Sequence, residues 1–236
     1  RAAEHVVNEL SSNVIDLFLQ GRASRLHVLL GPSSIHVHDD GPGFPFFTRH
    51  EGMSLATYLF LYPHATPSAF AHAPHIHIHR MGGIGLAPIN AISHTLRCTS
   101  WIDGMLWSQS FRDGVLVDGP RAIERGDGVG SSIQIELSSD VLEVVTPDHH
   151  VVRRRLFDAV HLFAGLRASL GEETFHAPDG LAALARFYEA RAPHGEPLFH
   201  VRHRDEAILL EAVALGRLER EDEVETRWKT WVNGRA

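Results

Sequence analysis

The sequence predicts an α/β sandwich in which helices cover one face of a mixed, mostly antiparallel sheet, followed by an incomplete second α/β domain. Residues 2–20 carry apolar side chains at spacings of three and four, the period of an amphipathic helix. The stretches 25–30 and 34–39 are β-rich, alternate between inward and outward side chains, and flank a Gly-Pro-Ser turn, which predicts a hairpin. Strand-like stretches recur farther along with short turns between them, and consecutive strands joined in this way pair antiparallel.

The remaining elements follow in order from the same patterns. Helices are predicted over 52–61 and 86–93, strands over 96–102, 106–112 and 131–137, and, past a linker at 138–150, helices over 151–163 and 179–190 with strands over 166–170 and 208–215. The stretch 62–80 is rich in Pro, Ala and His and lacks periodicity, so it is predicted to be a mobile loop. The linker divides the chain into a first domain, 1–142, and a partial second domain, 143–236.

Composition narrows the classes of function. The 236 residues carry a formal net charge of −7, and only one of the 22 basic residues is a lysine, Lys229, which does not fit a basic nucleic-acid clamp. The apolar runs are shorter than the roughly 20 residues that span a bilayer, and the N-terminus lacks a signal-peptide pattern. One cysteine, Cys98, rules out an internal disulfide framework and suits a reducing compartment. We therefore expect a cytoplasmic protein without a membrane partner.

The first predicted helix has a polar face. Glu9, Asn13 and Asp16 are four and three residues apart, so their side chains project from the same side of the helix. Hydrolysis of a phosphoanhydride needs an oxygen ligand for Mg²⁺ and a carboxylate that orients and polarises the attacking water, and this face offers both groups. An ordinary solvated helix face is the alternative interpretation of the same spacing.

Three glycine-containing segments lie at the ends of predicted elements. Asp39-Asp40-Gly41-Pro42-Gly43 follows the hairpin, where a buried carboxylate can accept a hydrogen bond from an exocyclic amine, as selection of adenine requires. Gly82-Gly83-Ile84-Gly85 precedes a helix whose first backbone N–H groups suit phosphates. Gly128-Val129-Gly130-Ser131-Ser132 enters a strand and supplies a hydroxyl. Taken singly, the first segment is better interpreted as a turn, the second is a common glycine cluster, and the third fits a polar strand start at least as well.

A histidine-rich stretch raises a separate hypothesis. His72, His75, His77 and His79 include alternate residues that would project to one face of a strand, and imidazole binds transition metals. No cysteine and few carboxylates lie near them in the sequence. A polar face or lid in a histidine-rich protein is therefore the simpler interpretation.

The order and separation of these motifs resemble those of the GHKL ATPases and, within them, the B subunits of the type IIA topoisomerases, DNA gyrase and topoisomerase IV. Residues 8–16 resemble the N-box helix of that family, 38–45 its first glycine motif, and 82–93 its lid-and-helix motif. Gly130-Ser131 is similar to a Gly-Thr pair whose hydroxyl assists adenine binding. Residues 154–180 resemble the start of the transducer domain, so the resemblance covers most of the chain.

The resemblance implies a GHKL (Bergerat) fold, ATP and Mg²⁺ as ligands, and a role for each matched residue. Glu9 would be the catalytic general base and Asn13 the Mg²⁺ ligand. Asp39 and Ser131 would bind adenine, and Gly83 and Gly85 would lie against the phosphates. The full set of nucleotide-binding residues implied by the motifs is Asn13, Asp39, Gly43, Pro45, Gly83, Gly85 and Ser131. Where the family usually has an Arg–Glu ion pair, this chain has Pro42 and Leu17.

At the level of the whole protein, the resemblance implies ATP hydrolysis that drives dimer closure and DNA strand passage. The expected partners are ATP, DNA through the full-length assembly, a topoisomerase A-type subunit or domain, and a second copy in an ATP-dependent homodimer. A catalytically weak or inactive GHKL module that acts as a switch or scaffold is the alternative, which the absence of lid lysines favours and Glu9 disfavours. A mismatch-repair or chaperone ATPase of the same superfamily fits Asn90-Ala91-Ile92-Ser93 less well.

Overall fold

The computed structural model describes residues 2–63, 85–188, 197–204 and 209–215. Within these ranges the helices are α1 (Ala2–Leu19), α2 (Leu55–Leu61), α3 (Leu86–Ala91), α4 (His149–Leu162) and α5 (Leu181–Tyr188). The strands are β1 (Arg25–Leu30), β2 (Ser34–Asp39), β3 (Arg49–His50), β4 (Met53–Ser54), β5 (Ser93–Ile102), β6 (Met105–Arg112), β7 (Val115–Arg125), β8 (Ser131–Leu137), β9 (Arg167–Leu170), β10 (Glu173–His176), β11 (Pro197–Arg204) and β12 (Leu209–Leu215).

Eight of these strands form one sheet, in the order β10-β9-β1-β2-β8-β5-β6-β7. The β1–β9 pair is parallel, and every other neighbouring pair in this sheet is antiparallel. β3 with β4, and β11 with β12, form separate two-stranded sheets. The predicted mixed, mostly antiparallel sheet is confirmed.

One face of the large sheet is buried. Burial alternates along β2, where Ile35, Val37 and Asp39 are buried, and along β8, where Ile133 and Ile135 are buried. Because side chains alternate between the two faces of a strand, these residues all lie on the same face. The apolar side chains of that face form one hydrophobic core with α1, α2, α3 and α4. The predicted layer of helices on one face of the sheet is therefore confirmed.

Helix α1 is tied to α4 through a shared cap. The backbone N–H of Asp148 donates to Glu4 Oε1 at 3.0 Å. Asp148 is in turn the N-cap of α4, and its carboxylate accepts hydrogen bonds from the N–H groups of His150 at 2.9 Å and Val151 at 3.3 Å. These bonds satisfy backbone donors that a helix start otherwise leaves without partners. They also fix the start of α1 against the core.

Most predicted elements are confirmed near their predicted bounds. Both strands of the first hairpin span 25–30 and 34–39 as predicted, and α1 ends one residue earlier than predicted. The helix predicted from residue 52 begins at Leu55, because Met53–Ser54 pairs with Arg49–His50. The sequence patterns did not predict β7. From residue 64 onward, the loop predicted over 62–80 lies outside the described residues.

The large sheet and its core continue past the linker at 138–150. β9 and β10 extend the sheet beyond β1. The hydrophobic core includes Leu156 on α4 and Ala177 just after β10. The division of the chain into 1–142 and 143–236 stays a prediction. The large sheet contains strands from both sides of residue 142.

Candidate functional site

Three polar residues lie side by side at one end of the sheet. Strand register aligns Asp39 with Ser131 across β2 and β8, and Ser131 with Ser100 across β8 and β5. All three are buried, with exposures of 7%, 7% and 0% for Asp39, Ser131 and Ser100. The next aligned rows on this face are apolar. We call these three residues the polar row, and polar groups at the end of an apolar face are positioned to orient a ligand.

The Asp39 carboxylate is the charged member of the polar row. Ser131 Oγ donates to its Oδ2 at 2.6 Å, and the backbone N–H of Gly41 donates to its Oδ1 at 2.7 Å. Burial raises the pKa of Asp39, and the hydrogen bonds from Ser131 and Gly41 oppose that shift. An ionised carboxylate has about four acceptor sites, so Asp39 retains capacity for a further donor.

The adjacent Asp40 has a structural role. Its carboxylate accepts hydrogen bonds from the backbone N–H groups of Ser24 at 2.7 Å and Arg25 at 2.9 Å, and from Ser24 Oγ at 2.5 Å. Partial burial raises the pKa of Asp40, but these hydrogen bonds outweigh it and leave the pKa below its usual range. Asp40 therefore fixes the turn after β2 to the start of β1, while Asp39 belongs to the polar row.

Glycine is required at two positions beside the polar row. Gly130 has a φ of +87°, and a Cβ there would stand 1.8 Å from the carbonyl oxygen of Asp39. Gly43 has a φ of +84°, and a Cβ there would stand 2.9 Å from the Cβ of Ser100. Both the left-handed conformation and the close approach exclude a side chain. The backbone therefore passes directly against the polar row from two sides.

The glycine turn, which we define as residues 41–44, continues into Pro45, and this segment is attached both to the sheet and to α2. The backbone N–H of Phe44 donates to Ser100 Oγ at 2.8 Å. The carbonyl of Pro45 accepts from the N–H of Ala56 at 3.3 Å. The Phe44 ring also packs against Phe60, with 5.7 Å between the ring centroids. Positions 43 and 45, which are predicted to line the nucleotide pocket, thus lie in a segment that contacts both the sheet and the helical layer.

The polar face of α1 carries Glu9 and Asn13. The Glu9 side chain is 14% exposed, and its Oε1 lies 3.7 Å from Nε2 of His5, one helical turn earlier. Asn13, one turn later, is exposed. Farther along, Cδ1 of Leu17 lies 3.0 Å from the position that a Cβ on Gly41 would take. With a rise of about 1.5 Å per residue, Glu9 lies roughly 12 Å along the helix axis from the part of α1 that touches the glycine turn.

The structure brings some of the predicted site residues into one cluster. Asp39, Ser131 and Gly43 meet at one end of the sheet through the contacts of the polar row. Glu9 and Asn13 lie on α1, a separate element that reaches the same turn with its C-terminal half. No hydrogen bond among the described residues joins the two groups. Their roles toward a common nucleotide stay predictions.

The lid motif is described only at its end. Gly85 precedes α3 as its N-cap, with a φ of +77°. Gly83 lies outside the described residues, as do the histidines between 72 and 79. Their predicted contacts with phosphates or metal therefore stay predictions.

Two site residues were not found from the sequence. His5 precedes Glu9 by four residues, so the helical spacing could have revealed it once Glu9 was chosen. Ser100 joins the site only through the pairing of β5 with β8, which brings it opposite Ser131. No local pattern around Ser100 indicates that pairing.

A cavity of about 510 Å³ opens beside the glycine turn, with Asp40, Trp101 and Gly130 among its lining residues. Asp39 and Ser131 do not line it. It is therefore a space next to the polar row rather than the space above it. The indole of Trp101 also explains Gly128, since a Cβ at that position would stand 2.1 Å from the ring.

Three further features bear on the sequence predictions. Across residues 2–63, 85–188, 197–204 and 209–215, no group of three or more His, Cys, Asp or Glu side chains is placed to hold a metal ion. In the same ranges, no helix combines the length and the apolar character needed to cross a membrane. Cys98 is buried, and its burial raises the pKa of its thiol well above the usual value.

The sheet, its helical layer and the polar row define a class of protein. A mostly antiparallel sheet with helices on one face, and a strand-end aspartate beside a glycine turn, is the GHKL fold that the sequence motifs predict. The 43K ATPase domain of Thermus thermophilus gyrase B, solved in complex with an aminocoumarin, shares this fold with a TM-score of 0.70 and 21% identity, over 88% of this chain and 55% of that chain. The ATP-binding domain of Francisella tularensis topoisomerase IV, solved with a small-molecule inhibitor, gives a TM-score of 0.71 at 23% identity, over 89% and 58%.

Sequence comparison points to the same proteins. The chain is 28% identical over 174 residues to the novobiocin-resistant DNA gyrase B protein of Streptomyces niveus, and the match covers 73% of this chain and 26% of that protein. It is 28% identical over 181 residues to the DNA gyrase B protein of Mycobacterium tuberculosis, with 73% and 26% covered. No protein-family model matches the chain. The chain thus shares its fold with these ATPase domains and is similar in sequence to the gyrase B proteins, and it spans about a quarter of the length of these relatives.

Proposed function

We propose that this chain is the ATP-binding and ATP-hydrolysing region of a type IIA DNA topoisomerase of the gyrase B kind. The observation that carries the proposal is the Asp39 carboxylate, buried at the end of β2 and held by Ser131 Oγ at 2.6 Å and the Gly41 N–H at 2.7 Å. A buried acceptor held in one orientation is suited to reading the edge of a base. The likeness to the gyrase B ATPase domain and to the topoisomerase IV ATP-binding domain supports ATP as the nucleotide.

Adenine fits this carboxylate better than guanine. The exocyclic amine of adenine donates a hydrogen bond, whereas guanine presents a carbonyl oxygen at the same ring position, which a carboxylate repels. Ser131 keeps Asp39 in position and offers its own oxygen as an acceptor. Gly43 and Gly130 let the backbone pack directly against the polar row, which holds its side chains in place.

Glu9 is the proposed general base. Its side chain is largely shielded, with 14% exposed, and lies 3.7 Å from His5. A carboxylate in such a position can orient a water molecule and accept its proton during attack on the terminal phosphoryl group. His5, one helical turn before Glu9 and within 3.7 Å of its carboxylate, is a proposed positioning residue.

Asn13 is the proposed Mg²⁺ ligand, and its surroundings fit that role. Its carboxamide is exposed on the same side of α1 as Glu9, so a bound ion can reach its oxygen. Mg²⁺ is commonly held by one or two protein oxygens, with waters and substrate phosphates completing its shell. When bound, Mg²⁺ neutralises charge on the phosphate oxygens. The backbone N–H groups of Gly83 and Gly85 are proposed to contact the phosphates.

The activity of the whole protein is a further part of the proposal. The chain would use ATP to close a homodimer and drive DNA strand passage, together with a topoisomerase A-type subunit or domain, in the cytoplasm. The low lysine content suggests that other parts of the assembly make most of the DNA contacts. Because β9 and β10 extend the large sheet, we propose that the transducer-like domain begins after β10 rather than near residue 142.

A steady-state ATPase assay of the chain, with ATP affinity measured in parallel, tests the enzymatic proposal. We expect the chain to bind and hydrolyse ATP. Glu9→Gln should keep its ATP affinity but lose about 10²- to 10⁴-fold in turnover, the contribution of a general base. Glu172→Gln, an exposed glutamate in the turn between β9 and β10, is the matched control and should behave like the unmodified chain.

The outcomes separate the candidate functions. Binding without turnover in the unmodified chain supports the switch or scaffold alternative. Absence of ATP binding rejects the proposal for this chain. Equal turnover in Glu9→Gln and in the unmodified chain rejects Glu9 as the base.

A further inference from the structure

Ser100 is the one member of the polar row to which the proposed function gives no role. It is fully buried and lies opposite Ser131 in the pairing of β5 with β8. We propose that Ser100 is a positioning residue of the nucleotide site, which fixes the glycine turn beside Asp39 and thereby sharpens the selection of adenine over guanine. The inference rests on the proposed function, since it assigns a further residue to the same site.

Two hydrogen bonds hold the glycine turn against the polar row. At its start, the N–H of Gly41 donates to Asp39 Oδ1 at 2.7 Å. At its end, the N–H of Phe44 donates to Ser100 Oγ at 2.8 Å. Pro42 and Gly43 lie between these two anchors. The turn is therefore attached to β2 at one end and to β5 at the other.

The contact with Ser100 needs both a small side chain and an acceptor. The close approach of Gly43, where a Cβ would stand 2.9 Å from the Ser100 Cβ, leaves no room for a larger residue. An alanine at position 100 would fit but would leave the partly buried N–H of Phe44 without its acceptor. Serine meets both requirements at this position.

The anchor at Ser100 affects Asp39 through the turn. Because Gly41 is bonded to Asp39 Oδ1, a turn released at Phe44 also loosens the carboxylate. A hydrogen bond from the amine of adenine depends on the direction of that carboxylate, and small displacements weaken such selection. Loss of Ser100 should therefore lower ATP affinity more than GTP affinity.

Ser100→Ala, with Ser93→Ala as the matched control, tests this inference. Ser93 is buried on the same strand and its Oγ donates to the Ile89 carbonyl at 2.6 Å, but it lies roughly 23 Å from Ser100 along β5. Hydrogen exchange of the Phe44 amide reports on the anchor, and dissociation constants for ATP and GTP report on selection. In Ser100→Ala we expect faster Phe44 exchange and a roughly five- to tenfold weaker ATP affinity, the loss that one neutral hydrogen bond accounts for.

The control separates positioning from general destabilisation. Ser93→Ala should lower the midpoint of thermal unfolding by about as much as Ser100→Ala does. It should leave the hydrogen exchange of the Phe44 amide and the ratio of ATP to GTP affinity unchanged. If Ser100→Ala matches Ser93→Ala in both measurements, the inference fails while the proposed function stands. If the unmodified chain does not bind ATP, the proposed function fails and the inference fails with it.

Discussion

Replacement of Asp39 by asparagine removes the charge of the polar row and leaves the shape of the side chain almost unchanged. The carboxamide oxygen can still accept from the Gly41 N–H, and Ser131 Oγ can accept from the amide group in place of donating to it. The fold should therefore survive the change. An asparagine nevertheless offers a weaker acceptor than a carboxylate to the amine of adenine.

The expected loss of affinity follows from the charge. A hydrogen bond to a charged group contributes about 1.5–3 kcal/mol, against roughly 1 kcal/mol for a neutral one. If the bond between Asp39 and adenine is lost altogether, ATP should bind roughly 10- to 150-fold more weakly to Asp39→Asn. If the asparagine retains a neutral bond, the loss falls toward the lower end of that range.

Whereas the ATP affinity of Asp39→Asn should fall, the stability of its fold should rise relative to the unmodified chain. Burial raises the pKa of Asp39 in the folded chain above the value of about 3.9 found in unfolded chains. The stability that this raised pKa contributes is fully present at pH values below the pKa of Asp39 in the unfolded chain. It is lost as the pH rises through the pKa of Asp39 in the folded chain. Asparagine does not titrate, so Asp39→Asn should gain stability relative to the unmodified chain as pH rises through this window.

Calorimetric ATP titration at neutral pH and urea unfolding between about pH 2 and pH 7 check both effects. Asp40→Asn is the matched control, because its pKa is lowered by hydrogen bonds from Ser24 and Arg25. That variant should lose stability at neutral pH, and the stability difference should vanish as pH falls through the lowered pKa of Asp40. Equal ATP affinity of Asp39→Asn and the unmodified chain would refute the assignment of Asp39 as the adenine reader.

Two further predictions concern stability and are checked by urea unfolding. Gly130→Ala should lower the free energy of unfolding by clearly more than Gly21→Ala does. Both glycines have a positive φ, at +87° and +70°, so for Gly21→Ala we expect a loss of about 1–2 kcal/mol. Only at Gly130 would the added Cβ also collide with backbone, since it would stand 1.8 Å from the Asp39 carbonyl oxygen. Equal losses would contradict the role of close packing there. Asp148→Ala should cost about 1 kcal/mol, since it removes the acceptor for two N–H groups at the start of α4. An unchanged free energy of unfolding would show that this cap contributes nothing.

Local patterns were sufficient for the first helix and the first hairpin. The strands at 25–30 and 34–39 lie next to each other in the chain, so a turn of a few residues and a period-2 alternation are enough to predict their pairing. The same alternation placed Asp39 on the buried face of β2. The buried position of Asp39 in the candidate site could therefore be predicted from the sequence.

Strands at the edge of the sheet escaped prediction for a physical reason. β7 spans Val115–Arg125 and is exposed at most of its positions, because it pairs with β6 on one side and with no strand of the described residues on the other. A strand that buries neither face fully has no alternation of apolar and polar residues to reveal it. Its backbone pairing with β6, rather than its side chains, keeps it in the sheet.

The polar row could not be assembled from sequence alone. Asp39 and Ser131 are 92 residues apart in the chain, and they meet because β8 inserts between β2 and β5. Family resemblance linked those two residues, but it did not reach Ser100. The pairing order of distant strands is set by the packing of the whole core, so only the structure reveals which residues end up in one row.

Leu17 and Pro42 stand where the sequence resemblance implies an ion pair, and the structure shows Leu17 packed against the glycine turn. Cδ1 of Leu17 lies 3.0 Å from the position of a Cβ on Gly41, so an apolar side chain packs against the turn where the family usually has a carboxylate. A buried ion pair can be replaced by apolar groups at little cost, whereas loss of one partner alone leaves an unpaired charge. Because both charges are absent together, the turn keeps its position through packing and hydrogen bonds. The orientation of Asp39, the proposed adenine reader, then rests on its hydrogen bonds with Ser131 and Gly41.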